Sequence, residues 1–148
     1  MHYVGLDVHK RAVQVCVLDE KGKHELSMSV ACTREDLEAF CRKELRPEDH
    51  VALEATTNTW GVVDIVRPHV GRVVVSNPLR TQAIAQAKVK TDKVDALVLA
   101  QLLRCGYLPE VWEPDELTRR LREITTVRES LMGDRTRIKN RIQSKRRE

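Results

Sequence analysis

The stretch KTDKVDALVLAQLL, residues 90–103, places a pair of aspartates at the head of an apolar segment that contains no Pro or Gly. The pattern predicts a helix that opens at Asp92, just after Thr91 as its N-cap. Three residues turn a helix by about 300° and raise it by about 4.5 Å, so the carboxylates of Asp92 and Asp95 would share one face of the first turn. Acids in a first turn also simply favour the helix dipole. A role of the pair in metal or phosphate chemistry is therefore indicated only if further acids elsewhere in the chain can lie beside it.

Two isolated acids elsewhere in the chain can join the pair. Asp7 lies in the strand-like segment YVGLDVH, and Glu54 lies near the end of HVALEAT, positions that do not favour a carboxylate. If these segments are neighbouring parallel strands, Asp7 and Glu54 meet where the strands end, and the helix with Asp92 and Asp95 can dock there. Four converging carboxylates predict bound Mg²⁺ or Mn²⁺, because hard oxygen ligands favour these ions. Two such ions about 3.5–4 Å apart would suit a phosphoryl displacement.

The order of predicted elements is three strands, a helix, and then two further strands that alternate with helices. This order predicts an α/β fold with a mixed five-stranded sheet that helices cover on both faces. The first strand should pair in parallel with the strands near positions 50 and 72. The predicted strands span residues 3–9, 12–18, 24–31, 50–56 and 72–76, and helices begin near Thr33, Asn58 and Asn77.

Composition excludes several classes of protein. At 148 residues the chain can form one domain with a core, plus an appendage. Aromatic residues make up only 3%, which disfavours base stacking on an aromatic platform. The four cysteines include no CxxC pair and are interpreted as reduced, buried thiols. No apolar run approaches the roughly 18 residues of a membrane span and no signal peptide is recognised, so a cytoplasmic protein is expected.

The charge is divided unevenly along the chain. Residues 119–148 hold 11 Lys and Arg against 4 Asp and Glu, a net charge of +7, whereas residues 1–118 have a net charge of −3. From residue 115 the pattern predicts one helix about 50 Å long, with an apolar stripe that repeats every seven residues and predicts a coiled-coil homodimer. We therefore divide the chain into residues 1–114 and 115–148. The expected phosphate contacts are Lys10, Arg119, Arg128, Arg135, Arg137, Lys139 and Arg141.

Four motifs together carry a resemblance to a known family: GLDVHK at residues 5–10, EATTNTW at 54–60, SNP at 76–78 and KTDKVDA at 90–96. Their combination resembles the N-terminal domain of the DEDD insertion-sequence transposases, over essentially the whole chain. The resemblance implies a RuvC-like, ribonuclease H-type fold. It also implies that Asp7, Glu54, Asp92 and Asp95 are catalytic and bind Mg²⁺.

The resemblance also implies partners and an activity. Members of the family act on DNA as recombinases guided by a structured RNA, so DNA and a guide RNA are the expected partners. Relatives have a C-terminal domain that supplies a nucleophilic serine. That domain is absent from these residues and the chain stops inside a basic helix, so a fragment or truncated copy is expected. The expected function is metal-dependent strand cleavage and exchange during transposition.

Two other functions remain open at this point. One is a nucleic-acid-binding and dimerising module whose acids are structural. The other is an actin-like sugar or acetate kinase, which shares the order of the first elements but needs glycine-rich phosphate loops that six scattered glycines do not provide. His9, beside Asp7, could orient a carboxylate or touch a phosphate.

Overall fold

The computed structural model describes residues 1–88 and 95–145, in two compact units, Met1–Val111 and Trp112–Glu148. The predicted boundary between residues 114 and 115 stays a prediction. The first unit holds β1 (Tyr3–Val8), β2 (Ala12–Leu18), β3 (His24–Ala31), α1 (Arg34–Glu44), β4 (His50–Glu54), α2 (Thr59–Val66), a 3₁₀ turn (Arg67–His69), β5 (Arg72–Ser76), α3 (Pro78–Lys88) and α4 (Ala96–Arg104). The second unit holds α5 (Glu116–Lys145).

One mixed sheet contains the five strands, in the order β3, β2, β1, β4, β5. β1 pairs antiparallel with β2, and β2 pairs antiparallel with β3. β1 pairs parallel with β4, as predicted, whereas the strand near position 72, β5, is also parallel but pairs with β4 and not with β1. The predicted α/β class, the five-stranded mixed sheet with flanking helices and the long C-terminal helix are therefore confirmed.

The larger part of the core lies between one face of the sheet and helices α1 and α2. Apolar side chains at alternate positions of β1 point to this face because strand residues alternate between faces. The helices bury their apolar stripes against them. The buried residues at this face include Val4, Leu6 and Val8 from β1, Leu37 and Phe40 from α1, and Val62, Val63 and Val66 from α2.

Helix α4 covers the opposite face of the sheet at an unusually short distance. Beneath it, β1 presents Gly5, whose partners on the neighbouring strands are Cys16 and Ala52. A Cβ atom added to Gly5 would lie 1.9 Å from the carbonyl oxygen of Ala96 and 2.8 Å from the backbone nitrogen of Ala100. Because a Cβ atom cannot approach backbone so closely, only glycine at position 5 allows α4 to pack at this depth.

The start of α4 corrects one prediction. Asp95 has an extended backbone, with φ −112° and ψ 178°, and its carboxylate accepts a hydrogen bond from the backbone N–H of Val98 at 3.0 Å. Asp95 is therefore the N-cap of a helix that begins at Ala96, and the prediction that it belongs to the first turn of a helix opening at Asp92 is wrong. Asp92 itself lies outside the described residues, as does Thr91.

The two edges of the sheet differ in how they are covered. Beside β5, the backbone N–H of Asn77 donates to the carbonyl of Pro109 at 3.0 Å, and the N–H of Val111 donates to the carbonyl of Val75 at 2.8 Å. These bonds cover part of the outer side of β5. Strand β3, at the other edge, has no strand on its outer side in the part of the chain that the structure describes.

The second unit is dominated by α5. Asp115 precedes the helix, and its carboxylate accepts a hydrogen bond from the backbone N–H of Thr118 at 2.7 Å. No residue of α5 within the described range is buried, and its apolar side chains are exposed: Leu117, Leu121, Ile124, Val127, Leu131, Met132, Ile138 and Ile142. Among the described residues, no helix has both the length and the apolar character needed to cross a membrane.

Replacing Gly5 with alanine should destabilise the first unit, because the new methyl group would push α4 away from β1. Overpacking of this kind typically lowers the free energy of unfolding by about 1–3 kcal/mol, measurable by urea denaturation. Gly61→Ala is the matched control: Gly61 lies in α2, a Cβ there would meet no atom within 4 Å, and alanine should raise stability by about 0.5–1 kcal/mol. Equal effects of the two substitutions would contradict the close packing at Gly5.

Candidate metal centre

Asp7 and Glu54 lie at the same level of two neighbouring strands. The parallel register pairs Gly5 with Ala52 and Leu6 with Leu53, so one further step along both strands places Asp7 beside Glu54. Strand alternation turns both carboxylates to the face that α4 covers. The structure therefore brings together the two strand acids named from the sequence, at the carboxyl ends of two parallel strands.

Glu54 is half-buried, and its Oε1 atom is buried without a hydrogen-bond partner among the described residues. Burial raises the pKa of the Glu54 carboxyl above its ordinary value, and the charge of Asp7 raises it further. The ionised form of Glu54 is thus destabilised in two ways, by lost hydration and by a like charge. Binding of a cation at this point would relieve both.

The buried hydroxyl of Thr59 fixes the backbone that follows Glu54. Its Oγ1 atom donates a hydrogen bond to the carbonyl oxygen of Glu54 at 2.7 Å and accepts one from the backbone N–H of Thr56 at 2.6 Å. The chain is therefore held in a tight loop between β4 and α2. Sequence reasoning missed this role, although a threonine between a strand and a helix is a common signal for such local bonds.

Asp7 also contacts a histidine. The Nε2 atom of His9 lies 2.9 Å from Oδ2 of Asp7, and the two side chains are 62% and 28% exposed. A ring N–H that donates to a carboxylate limits its rotation, as in many metal sites. His9 therefore lies where it can orient Asp7, one of the two roles considered from the sequence.

Asp95 approaches the same face of the sheet from α4. The next residue, Ala96, packs directly on Gly5 of β1. Burial, and then the negative charge of Asp95, raises the pKa of the Cys16 thiol on β2, so the Asp95 carboxylate lies near that strand. Because Asp92 lies outside the described residues, the convergence of all four carboxylates stays a prediction.

The donor set can be tested for its fit to a metal ion. Within residues 1–88 and 95–145, no three His, Cys, Asp or Glu side chains are grouped so that they could hold a metal. Asp7 and Glu54 nevertheless provide oxygen ligands only, one of them desolvated and unpaired, which suits a hard divalent cation. The pair therefore fits part of a magnesium site and requires further carboxylates to complete it.

The predicted phosphate contacts differ in their surroundings. Lys10 is exposed in the turn after β1. Arg119 pairs with Glu113 at 2.9 Å, and Arg137 lies 2.5 Å from Asp134, so these two guanidinium groups already have acidic partners. The remaining predicted contacts are exposed along α5: Arg128, Arg135, Lys139 and Arg141.

The expectation that all four cysteines are buried is corrected. Cys16 and Cys41 are buried as expected, Cys32 is only partly buried, and Cys105 is exposed because it follows the last turn of α4. Trp112 is 66% exposed. The guanidinium of Arg122 lies 5.8 Å from the centre of its ring, within cation–π range.

These features define the class of the first unit: an α/β domain with an acidic site at the carboxyl ends of its parallel strands, under a helix capped by a further acid. The sequence profile of the DEDD transposases of the IS110 type, a family described as "Transposase", matches residues 4–145. The chain belongs to this transposase family. The resemblance seen in the sequence motifs is thereby confirmed.

A bacterial relative shares much of the chain. The protein named "Putative transposase y4qE" of Sinorhizobium fredii (strain NBRC 101917 / NGR234) is 28% identical over 132 residues, which cover 86% of this chain and 34% of that protein. The chain thus spans about a third of the length of this relative.

Two solved structures are weakly similar, each at 18% identity. An inorganic polyphosphate/ATP-glucomannokinase from Arthrobacter sp. strain KM has a TM-score of 0.41 and aligns over 62% of this chain and 50% of its own. A ROK family glucokinase from Streptomyces griseus has a TM-score of 0.40 and aligns over 63% of this chain and 38% of its own. Structural similarity at this level supports no conclusion about the fold or activity of this chain.

A Glu54→Gln substitution should stabilise the metal-free protein at neutral pH, because it removes a desolvated charge beside Asp7. The folded-state pKa of Glu54 is raised, so the wild type loses stability as pH rises from the ordinary glutamate pKa through the raised one. The advantage of the variant should therefore be small near pH 4 and larger near pH 7, about where glutamate is protonated and ionised respectively. Denaturant titrations in EDTA at both pH values measure this difference.

Glu48→Gln serves as the control, since Glu48 is exposed in the loop before β4. Its effect on stability should not grow between the two pH values. If Glu54→Gln instead became less stable relative to the wild type as pH rose from 4 to 7, the Glu54 charge would be stabilised in the folded state, contrary to our assignment.

Proposed function

We propose that the first unit is the metal-dependent catalytic domain of a DNA transposase, with a RuvC-like, ribonuclease H-type fold. The observation that carries the proposal is the desolvated, unpaired Oε1 of Glu54 beside the carboxylate of Asp7. Unbalanced carboxylates attract divalent cations. Bound cations can then neutralise the negative charge of a phosphate during its reaction. Membership of the transposase family supports DNA strand cleavage and exchange as the reaction.

Asp7, Glu54, Asp92 and Asp95 are the residues that we assign to Mg²⁺ or Mn²⁺. When bound, such ions stabilise the attacking and leaving oxygens of a phosphoryl displacement. The surrounding residues hold these carboxylates in position. Thr59 fixes the backbone after Glu54, His9 limits the rotation of Asp7, and Asp95 caps a helix that packs on β1. These contacts preorganise the oxygen atoms before any ion arrives.

Nucleic acid is the proposed partner, in two forms. DNA is the substrate, and a structured guide RNA is the second partner that the family resemblance implies. The exposed cations on α5 support binding of a polyanion, because each phosphate contact releases counterions. A noncatalytic nucleic-acid-binding and dimerising module is the alternative, and it predicts no specific divalent-cation site.

Metal binding separates these two functions. Isothermal calorimetry with Mn²⁺ or Mg²⁺ should detect binding to the wild type and a large loss of affinity in Asp7→Asn. Cation binding should also raise thermal stability, by about 2.7 kcal/mol at a free concentration of 100 Kd. Glu48→Gln removes an exposed carboxylate before β4 and should bind the ion like the wild type. Equal affinity in wild type, Asp7→Asn and Glu48→Gln would support the noncatalytic alternative.

We also propose that α5 forms a coiled-coil homodimer. Its exposed apolar residues Leu117, Ile124, Leu131 and Ile138 repeat every seven positions. The stripe extends over about 32 Å of helix, and an exposed apolar surface of this length is poorly tolerated in water. A second copy of α5 provides a matching surface, because an isologous interface uses the same residues on both sides.

The stripe favours an antiparallel arrangement of the two helices. Arg128 and Arg135 lie four residues after Ile124 and Leu131, on the helix face that would contact the partner helix. In a parallel pair in register, each arginine would face its own copy, and like charges in contact repel. In an antiparallel pair, Arg128 lies opposite Leu131, and Arg135 lies opposite Ile124. The arginine stems can then cover apolar surface while their charged ends reach solvent or phosphate.

Light scattering at micromolar concentration should give the mass of a dimer for the wild type and of a monomer for Leu131→Asp. Ser130→Asp introduces the same charge at the preceding position, outside the stripe, and should remain dimeric. A wild-type monomer, or loss of the dimer in both variants, would contradict the assignment. In a Cys105→Ser background, Leu117→Cys with Ile142→Cys should form intermolecular disulfides, and Leu117→Cys alone should not. A disulfide in Leu117→Cys alone would indicate parallel helices.

A further inference from the structure

A cleft opens where the loops after β1 and β4 meet, at the same edge of the sheet as the candidate metal centre. Its volume is about 310 Å³. The residues that line it come from only these two loops and the end of β1: Val8, His9, Lys10, Thr56, Thr57 and Asn58. Asp7 directly precedes Val8, and Glu54 lies two residues before Thr56, so the cleft and the acids share the carboxyl edge of the sheet.

Both walls of the cleft are held by hydrogen bonds. On the β1 side, the backbone N–H of His9 donates to the carbonyl of Ala12 at 2.9 Å, closing the turn that carries Lys10. On the β4 side, the Thr59 hydroxyl accepts from the N–H of Thr56 at 2.6 Å. The imidazole of His9 also contacts Asp7 at 2.9 Å. The cleft is therefore formed before a ligand binds, which reduces the entropy lost on binding.

The groups that line the cleft favour an anion with oxygen acceptors. Lys10 is exposed and has no acidic partner within 4.0 Å among the described residues. Thr57 and Asn58, both exposed, add a hydroxyl and an amide that can donate hydrogen bonds. A lysine with neutral donors beside it matches a singly charged phosphodiester, which needs one cation and several donors.

We propose that this cleft binds a backbone phosphate of the nucleic-acid strand that enters the metal centre. The proposal rests on the proposed function for its substrate class, and it adds the group that positions the strand. Lys10 supplies the charge, while the hydroxyl of Thr57 and the amide of Asn58 supply hydrogen bonds. His9 links the two sites, since it lines the cleft and contacts Asp7. A phosphate held here would place the neighbouring part of the strand at the carboxylates.

The test compares two lysines of equal charge. Lys21 is exposed in the turn between β2 and β3, at the opposite end of the sheet from Lys10. Affinity for a single-stranded oligonucleotide is measured in EDTA over a range of salt concentrations, for the wild type, Lys10→Ala and Lys21→Ala. Lys10→Ala should weaken binding several-fold and reduce the slope of log K against log salt by about 0.7. Lys21→Ala should leave both unchanged.

Thr57→Val provides the second arm, because it removes the hydroxyl and keeps the shape of the side chain. It should weaken binding without changing the salt slope, since no charge is lost. Equal losses in Lys10→Ala and Lys21→Ala would overturn the proposal, and so would an unchanged affinity in Lys10→Ala. Calorimetry with Mn²⁺ is independent of these outcomes: Lys10→Ala should bind the ion like the wild type. The oligonucleotide measurements can therefore contradict the phosphate cleft while calorimetry supports the metal centre. Calorimetry can likewise contradict the metal centre while the oligonucleotide measurements support the cleft.

Discussion

The close contact between α4 and β1 at Gly5 is the constraint on which the candidate site depends. The carbonyl of Ala96 occupies the space that any larger side chain at position 5 would need. This contact fixes the height of α4 above the sheet, and therefore the position of Asp95 at its start. In the candidate site, Asp7 and Glu54 come from the sheet and Asp95 comes from the start of α4. The distance between sheet and helix can vary little in such a site, because the oxygen ligands of a magnesium ion must lie about 2.0–2.1 Å from the ion.

The charge of Glu54 reduces the stability of the metal-free protein. Glu54 is less hydrated than a surface glutamate and lies beside a like charge, so its ionised form costs free energy in the metal-free protein. A hydrogen-bond donor at Oε1 would have lowered that cost, and none of the described residues supplies one. The loop after Glu54 is by contrast well satisfied, through the hydroxyl of Thr59. Strong local bonding thus holds the backbone of a residue whose side chain is left unsatisfied, a combination expected at functional sites.

The sheet could be predicted from the sequence because its signals are local. Alternation, turn residues and the crossover rule placed five strands, and the meeting of Asp7 with Glu54 followed from the parallel register. The start of α4 could not be predicted, because Thr91 and Asp95 are both good N-caps and local pattern does not rank them. The hydrogen bond from Val98 identifies Asp95. The close approach at Gly5 involves residues about 90 positions apart, and no local pattern reports it.

The unequal edges of the sheet limit how this protein can aggregate. An open edge strand is a template for another chain, and repeated edge pairing at both sides would build a fibre. Here the segment that follows α4 covers part of β5, and within the described chain only β3 is left uncovered. Two molecules that paired through β3 would then present only their partly covered β5 edges to a third. His24, Glu25, Ser27 and Ser29 lie exposed along β3, so even that single pairing would have to desolvate polar and charged groups.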